Sequence, residues 1–128
     1  MDRFDTDTLQ FFAEHPDALP LYGAFLDSVY ALDAAARVRV QKTQITFSSR
    51  HVFACVSFAR VRKKALLPEP YLVVTLGLPF ALDSARAAVK TEPYPGRWTH
   101  HIVLSRPEDV DAELAEWLRL AYDFSMRK

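Results

Sequence analysis

Glycine is scarce in this chain: Gly23, Gly77 and Gly96 are the only three in 128 residues. A phosphate-cradling loop of the dinucleotide or P-loop kind needs clustered glycines, so nucleotide binding by those routes is excluded. Cysteine is scarcer. Cys55 alone cannot close an intramolecular disulfide, which makes the reducing cytoplasm the expected setting. Long apolar runs are lacking as well. The longest, residues 71–80, is broken by Thr75, Gly77 and Pro79, well short of the ~20 residues that cross a bilayer. The opening Met1-Asp2-Arg3-Phe4-Asp5 carries no apolar leader core, so no membrane partner is expected. Metal ligands are equally thin. His15, His51, the adjacent pair His100-His101 and one cysteine do not make a zinc spacing, and neighbours on a strand point to opposite faces, so no metal and no cofactor is expected.

What the chain does have is an ordinary globular balance: 50% hydrophobic and 25% charged residues, enough to build a core without staples. Residues 1–128 read as one domain, with no linker, repeat or low-complexity segment. The net charge of zero hides a segregation along the chain. Residues 1–36 hold seven carboxylates against Arg3, whereas residues 37–64 hold eight Lys/Arg and no Asp or Glu.

Periodicity assigns the elements. Asp5 or Thr6 caps a short helix bearing Leu9 and Phe12 on its apolar side, ending near His15-Pro16. Leu19, Tyr22, Phe25, Leu26, Val29 and Tyr30 recur three and four apart, a second helix with proline in its first turn. From Arg37 the period drops to two. Val38 and Val40, then Ile45 and Phe47, alternate with polar residues as half-buried antiparallel strands do. Residues 52–59 and 71–78 are more continuously apolar and read as central strands, joined by a basic connection at 60–70. Asp83 to Val89 suggests a helical turn or two, 93–96 a turn, and Arg97 to Leu104 a fifth strand with Trp98, His100, Ile102 and Leu104 on one side. Ser105-Arg106-Pro107-Glu108 has capping-box spacing before a helix whose one face holds Val110, Leu114, Trp117, Leu118 and Ala121. The expected fold is α+β, in the order α-α-β-β-β-β-β-α: an antiparallel sheet of about five strands with helices on one face.

Few residues then carry candidate chemistry. Cys55 reads as a small buried hydrophobe in a central strand. Ser48 and Ser49 lack the setting of an activated nucleophile. The carboxylates Glu108, Asp109, Asp111, Glu113 and Glu116 read as a solvated face matched to the helix dipole. No catalytic residue is assigned. Two constellations remain. Arg97, Trp98, His100 and His101 follow the turn at Gly96 and combine a guanidinium, an indole and two imidazoles, which can orient an anionic or aromatic ligand. Lys42, Thr43 and Gln44, with Arg37, Arg39 and Arg50, line the first hairpin and can contact phosphates without reading sequence; Arg60 and Arg62 extend that basic stretch. Both have a bland reading, in which Trp98 and one histidine pack in the core and the cations merely pair with the acidic helices or solubilise a sheet face.

The chain also resembles a small bacterial family of domains of unknown function over residues 8–124. The resemblance rests on Phe11-Phe12, His15-Pro16, Lys42-Thr43-Gln44-Ile45-Thr46-Phe47, Phe53-Ala54, Leu82-Asp83-Ser84, Pro95-Gly96-Arg97-Trp98-Thr99-His100-His101, and Trp117-Leu118 with Ala121-Tyr122. It implies the fold and names no substrate. More distantly, the order of a Phe-Ala strand, a Trp-bearing strand and a helix ending in an aromatic is similar to MmcQ/YjbR-like proteins, compact α+β domains for which DNA binding has been suspected.

The expected function is a non-enzymatic binding module in which the hairpin and the Arg97–His101 segment form one concave surface for a small anionic ligand or a protein partner. Two alternatives stand beside it: nucleic-acid binding by the basic 37–64 face, and a small enzyme using His100 or His101 as general base. Oligomeric state is left open.

Overall fold

A computed structural model describes residues 4–127. The opening at 1–3, read above for its lack of a leader, lies outside them. Helix α1 spans Thr6–Phe11, α2 Leu19–Leu32 and α3 Ala112–Met126. The strands are β1 Arg37–Val40, β2 Gln44–Ser48, β3 Val52–Ser57, β4 Leu72–Leu78, β5 Ala87–Tyr94 and β6 Arg97–Leu104. They form one antiparallel sheet in the order β1-β2-β3-β4-β6-β5. The α+β class and the terminal placement of the helices are as expected; the sheet has six strands where five were read.

Local chemistry explains the helix ends. The Asp5 carboxylate accepts from the Thr8 backbone N–H at 2.8 Å and starts α1, which stops at Phe11, before His15-Pro16. Phe12 is buried, but Leu9 is exposed and Thr8 takes its inner position. Pro20 sits in the first turn of α2, where its missing N–H costs nothing. The third helix begins later than the Ser105–Glu108 spacing suggests. Asp109 folds back instead, accepting from the Ser105 backbone N–H at 2.8 Å, and Asp111 caps α3 through the Leu114 N–H at 2.9 Å.

Alternation decides what each sheet face holds. Ile45, Phe47, Val56, Val74, Leu76 and Ile102 point to one side, fully or almost fully buried beneath the helices. Phe25 meets Phe47 edge-on at 5.3 Å, and Tyr122 of α3 meets Phe53 at 5.1 Å. Arg39, Thr46, Cys55, Thr75 and His101 lie in one register row on the opposite, helix-free side. Val73, on that side, is buried although it stands outside the main core cluster. The 58–71 connection returns near it, with Tyr71 donating to the Phe58 carbonyl at 2.9 Å.

The extra strand is β5, in the stretch read as a helical turn and a loop. Its alternation is interrupted by register shifts between Ala87 and Val89 and between Thr91 and Tyr94. Pro93 is tolerated because β5 is an edge strand and needs no outward N–H.

Candidate functional site

The sheet order separates the two constellations expected to share a surface. Gln44 pairs with Ser57, Ser57 with Val73 and Val73 with Val103, so the 41–43 turn lies at the Val103 end of β6. Arg97 and Trp98 stand at the other end, six residues away along the strand and three strands across. Strand spacings make that about 20 Å by about 14 Å. Lys42, Thr43 and Gln44 therefore cannot act with Arg97 and Trp98 on one small ligand, and the single concave surface is corrected to two separate places.

At the Arg97 end the sheet splits. Pairing of β3 with β4 stops at Ala54–Leu76, while β4 continues along β6 to Leu78–Trp98 and β3 continues along β2 to Val52. Val52 and Phe53 thus leave with one half of the sheet, Gly77 and Leu78 with the other. A cleft of about 280 Å³ opens between them. Phe53, Leu76, Trp98 and Phe124 line it with apolar surface, Ala121 and Ser125 of α3 contribute to its lining, and Cys55, Thr75 and Thr99 give it polar groups on the helix-free side. Arg97 is the sole charged residue among the lining residues. Gly77, at the split, faces open space: a Cβ built there meets no heavy atom within 4 Å. Val52 and Tyr94, at the lining's edge, are 51% and 67% exposed.

The two histidines part company, as strand alternation requires. His100 is completely buried on the helix side, where its Nε2 accepts from the Leu82 backbone N–H at 2.9 Å. Lys90, its cross-strand neighbour, donates to the Leu82 carbonyl at 2.7 Å, so the two side chains clamp the β4–β5 connection at one residue. Burial pushes the His100 pKa down, against the nearby carbonyls of Leu76 and Trp98, and its Nδ1 has no hydrogen-bond partner. His101 faces the helix-free side half-buried, its Nδ1 2.9 Å from the Thr75 hydroxyl; burial lowers its pKa too. Cys55 flanks Thr75 on the other side. It is half-buried on the helix-free face, where desolvation raises its pKa against the Thr75 hydroxyl and keeps it a thiol.

Lys42, Thr43 and Gln44 border a wider hollow of about 830 Å³ with Gln10, Glu14, His15 and Phe58. Gln44 donates to the Gln41 side chain at 3.1 Å, and His15 stacks on Phe58 at 4.2 Å. The Glu14 carboxylate here, and Asp7 beside Lys42 in the adjoining hollow, give this end both signs of charge. Of the other cations, Arg37 and Arg39 project on the helix-free side of β1, with Arg37 donating to the Ser49 carbonyl at 2.9 Å. Arg50 lies in the β2–β3 turn, and Arg60 and Arg62 in the connection after β3. Among the described residues the ion pairs are Arg86 with Asp111 and Glu113, and Arg119 with Glu116 and Asp123; none draws on residues 37–64.

The residues that complete the cleft, Phe53, Thr75, Gly77, Thr99 and Phe124, were not candidates from sequence. One signal was available: an isolated glycine inside an apolar strand marks a bulge or an open approach to the backbone. Among the described residues no group of three His, Cys, Asp or Glu side chains is placed to hold a metal, and no helix is long and apolar enough to cross a membrane. No curated protein and no solved structure matches the chain. A family profile does, over residues 9–125, and the chain belongs to that family, described as a domain of unknown function (DUF5655).

Proposed function

We propose that the domain is a non-enzymatic binding module and that its ligand is a small anion held at the Arg97 end of the sheet. The observation that carries this reading is the cleft between β3 and β4, concave and apolar with a few polar groups and one cation, which is how small-molecule sites are generally built. Two of the groups weighed for a reaction are engaged elsewhere. His100 is buried and engaged with Leu82, and Cys55 is held as a thiol, so neither presents a base or nucleophile to a substrate.

The test is a thermal-shift screen of nucleotides, phosphates and organic acids on the wild type and on Arg97→Gln. Arg97 is exposed, so the variant should keep the wild-type melting temperature. A ligand at 100 times its dissociation constant adds about 2.7 kcal/mol, hence several degrees. A shift shared equally by both proteins would refute the role given to Arg97.

A second reading, nucleic-acid binding, is supported by the helix-free face. Six strands place Arg37, Arg39, Arg97 and His101 there among threonine and serine hydroxyls, with no carboxylate in the register rows of that face. Affinity for an oligonucleotide that falls steeply with salt, and that survives obstruction of the cleft, would favour it over the first.

A further inference from the structure

We infer that the cleft selects amphiphilic monocarboxylates: one anionic head on Arg97 and an unbranched or flat apolar body of about nine non-hydrogen atoms running between the halves of the sheet. The inference rests on the anion-binding reading above and adds the ligand's shape, size and charge. Charge complementarity fixes the head. Arg97 is the one charged residue among those lining the cleft, and a guanidinium matches a carboxylate through two parallel hydrogen bonds. A dianion or polyphosphate would leave charge unanswered against an apolar wall, which is costly.

The body follows from the walls. Beyond Arg97 the large walls are Phe53, Leu76, Trp98 and Phe124, with Cys55, Thr75, Thr99 and Ser125 giving a smaller polar share, so a mainly apolar body loses least on entering. Width follows from the split itself. The cleft lies where two strands part, with Gly77 lining it without a side chain; that favours a thin or planar body over a globular one. Length follows from volume. The cleft holds about 280 Å³, and at about 30 Å³ for each small group packed at liquid density that is room for about nine. Thr99, two residues from Arg97 on the same strand and among the lining residues, offers a hydroxyl to the carboxylate.

The experiment measures dissociation constants for the straight-chain acids from acetate to dodecanoate, with the matching primary alcohols, by calorimetry on wild type, Arg97→Gln and Gly77→Ile. Affinity should rise about fourfold with each added methylene and level off once the body reaches about nine atoms. The alcohols should bind at least tenfold more weakly than the acids. Gly77→Ile adds a branched side chain on the helix-free side of the split, beside Thr99 and at a position that accepts a Cβ without contact, so it should fold at least as well as wild type and, by covering the cleft from that face, lose the chain-length gain. Arg97→Gln should weaken every acid by a similar factor and leave the chain-length slope intact. A flat series, a rise with no plateau, or a slope unchanged in Gly77→Ile would overturn the inference. A slope that persists while Arg97→Gln weakens nothing would overturn the anion-binding reading as well and leave only an apolar cleft.

Discussion

His100 concentrates the tension between fold and site at a single residue. It is a polar ring in the core of the sheet's helix side, kept there because Leu82 needs an acceptor for a buried N–H. Replacing it with leucine keeps volume and apolarity but strands that N–H, so His100→Leu should cost about 1–3 kcal/mol, read as a fall in denaturation midpoint. The pH dependence has a definite sign. With its folded pKa pushed below the ordinary 6.5, His100 binds a proton more readily in the unfolded chain. Its contribution is therefore complete above pH 6.5 and is lost as pH falls from there toward the folded value. His101, also lowered by burial, adds to the same slope. The melting temperature of the wild type should drop between pH 7 and 5, before the lowered carboxylates of Asp109 and Asp111 begin to titrate, and His100→Leu should flatten that drop. A wild-type curve flat over this range would contradict the burial argument. From sequence, alternation told that one histidine faces each way. Which of them would find a backbone partner depended on a loop eighteen residues upstream.

Among elements, α3 shows how a helix is fixed at one end. Arg86, in the β4–β5 connection, donates to Asp111 at 2.9 Å, to Glu113 at 2.9 Å and to the Asp109 carbonyl, and its guanidinium lies 5.4 Å from the Trp117 ring. Asp111 is thus both the helix cap and an ion-pair partner. The two roles separate by substitution. Asp111→Asn keeps a good cap and loses the charge, whereas Asp111→Ala loses both, so urea denaturation should show alanine about 1 kcal/mol worse than asparagine. Equal costs would mean the cap contributes little beside the pair. The carboxylates at this end, read from sequence as a solvated face, are partly engaged with Arg86. No spacing rule connects residue 86 to residue 111, since the connection between them runs through β5 and β6. The strand β5 itself was missed for a similar reason. Two register shifts and Pro93 erase the period of two on which strand recognition rests, and a proline is permitted there only because no further strand lies beyond β5. Where the period was intact, at β1, β2 and β6, the alternation came out as read, with Phe47 inward, Arg39 outward and the two histidines on opposite faces; which histidine turns outward needed the sheet.

At the scale of the whole molecule, the order β4-β6-β5 decides what sequence leaves undetermined. It inserts β6 beside β4, brings Arg97 and Trp98 to the split with β3, and leaves the Lys42 hairpin at the opposite end. The same order lays the basic middle of the chain along one edge, with Arg37 and Arg39 on the helix-free side and the acidic α1 and α2 on the other. That segregation distinguishes the two readings of function by a single double variant. Arg37→Glu/Arg39→Glu changes four units of charge on an exposed edge strand, at positions whose neighbours on that face, Ser48 and Thr46, carry no charge of their own. Folding should change by no more than about 0.5 kcal/mol, apart from the loss of one bond to the Ser49 carbonyl. If the face binds a phosphodiester chain, wild type should show a slope of log K against log salt of about −2, the value for three phosphates on three arginines at ~0.7 each, and the double variant should lose binding altogether. If the cleft alone is the site, wild type should bind oligonucleotides weakly or not at all, and the double variant should hold small carboxylates as tightly as wild type. The two proteins should then bind carboxylates alike, because Arg97 lies about four strand spacings, roughly 19 Å, across the sheet from the substituted positions, beyond the reach of a screened charge at physiological ionic strength.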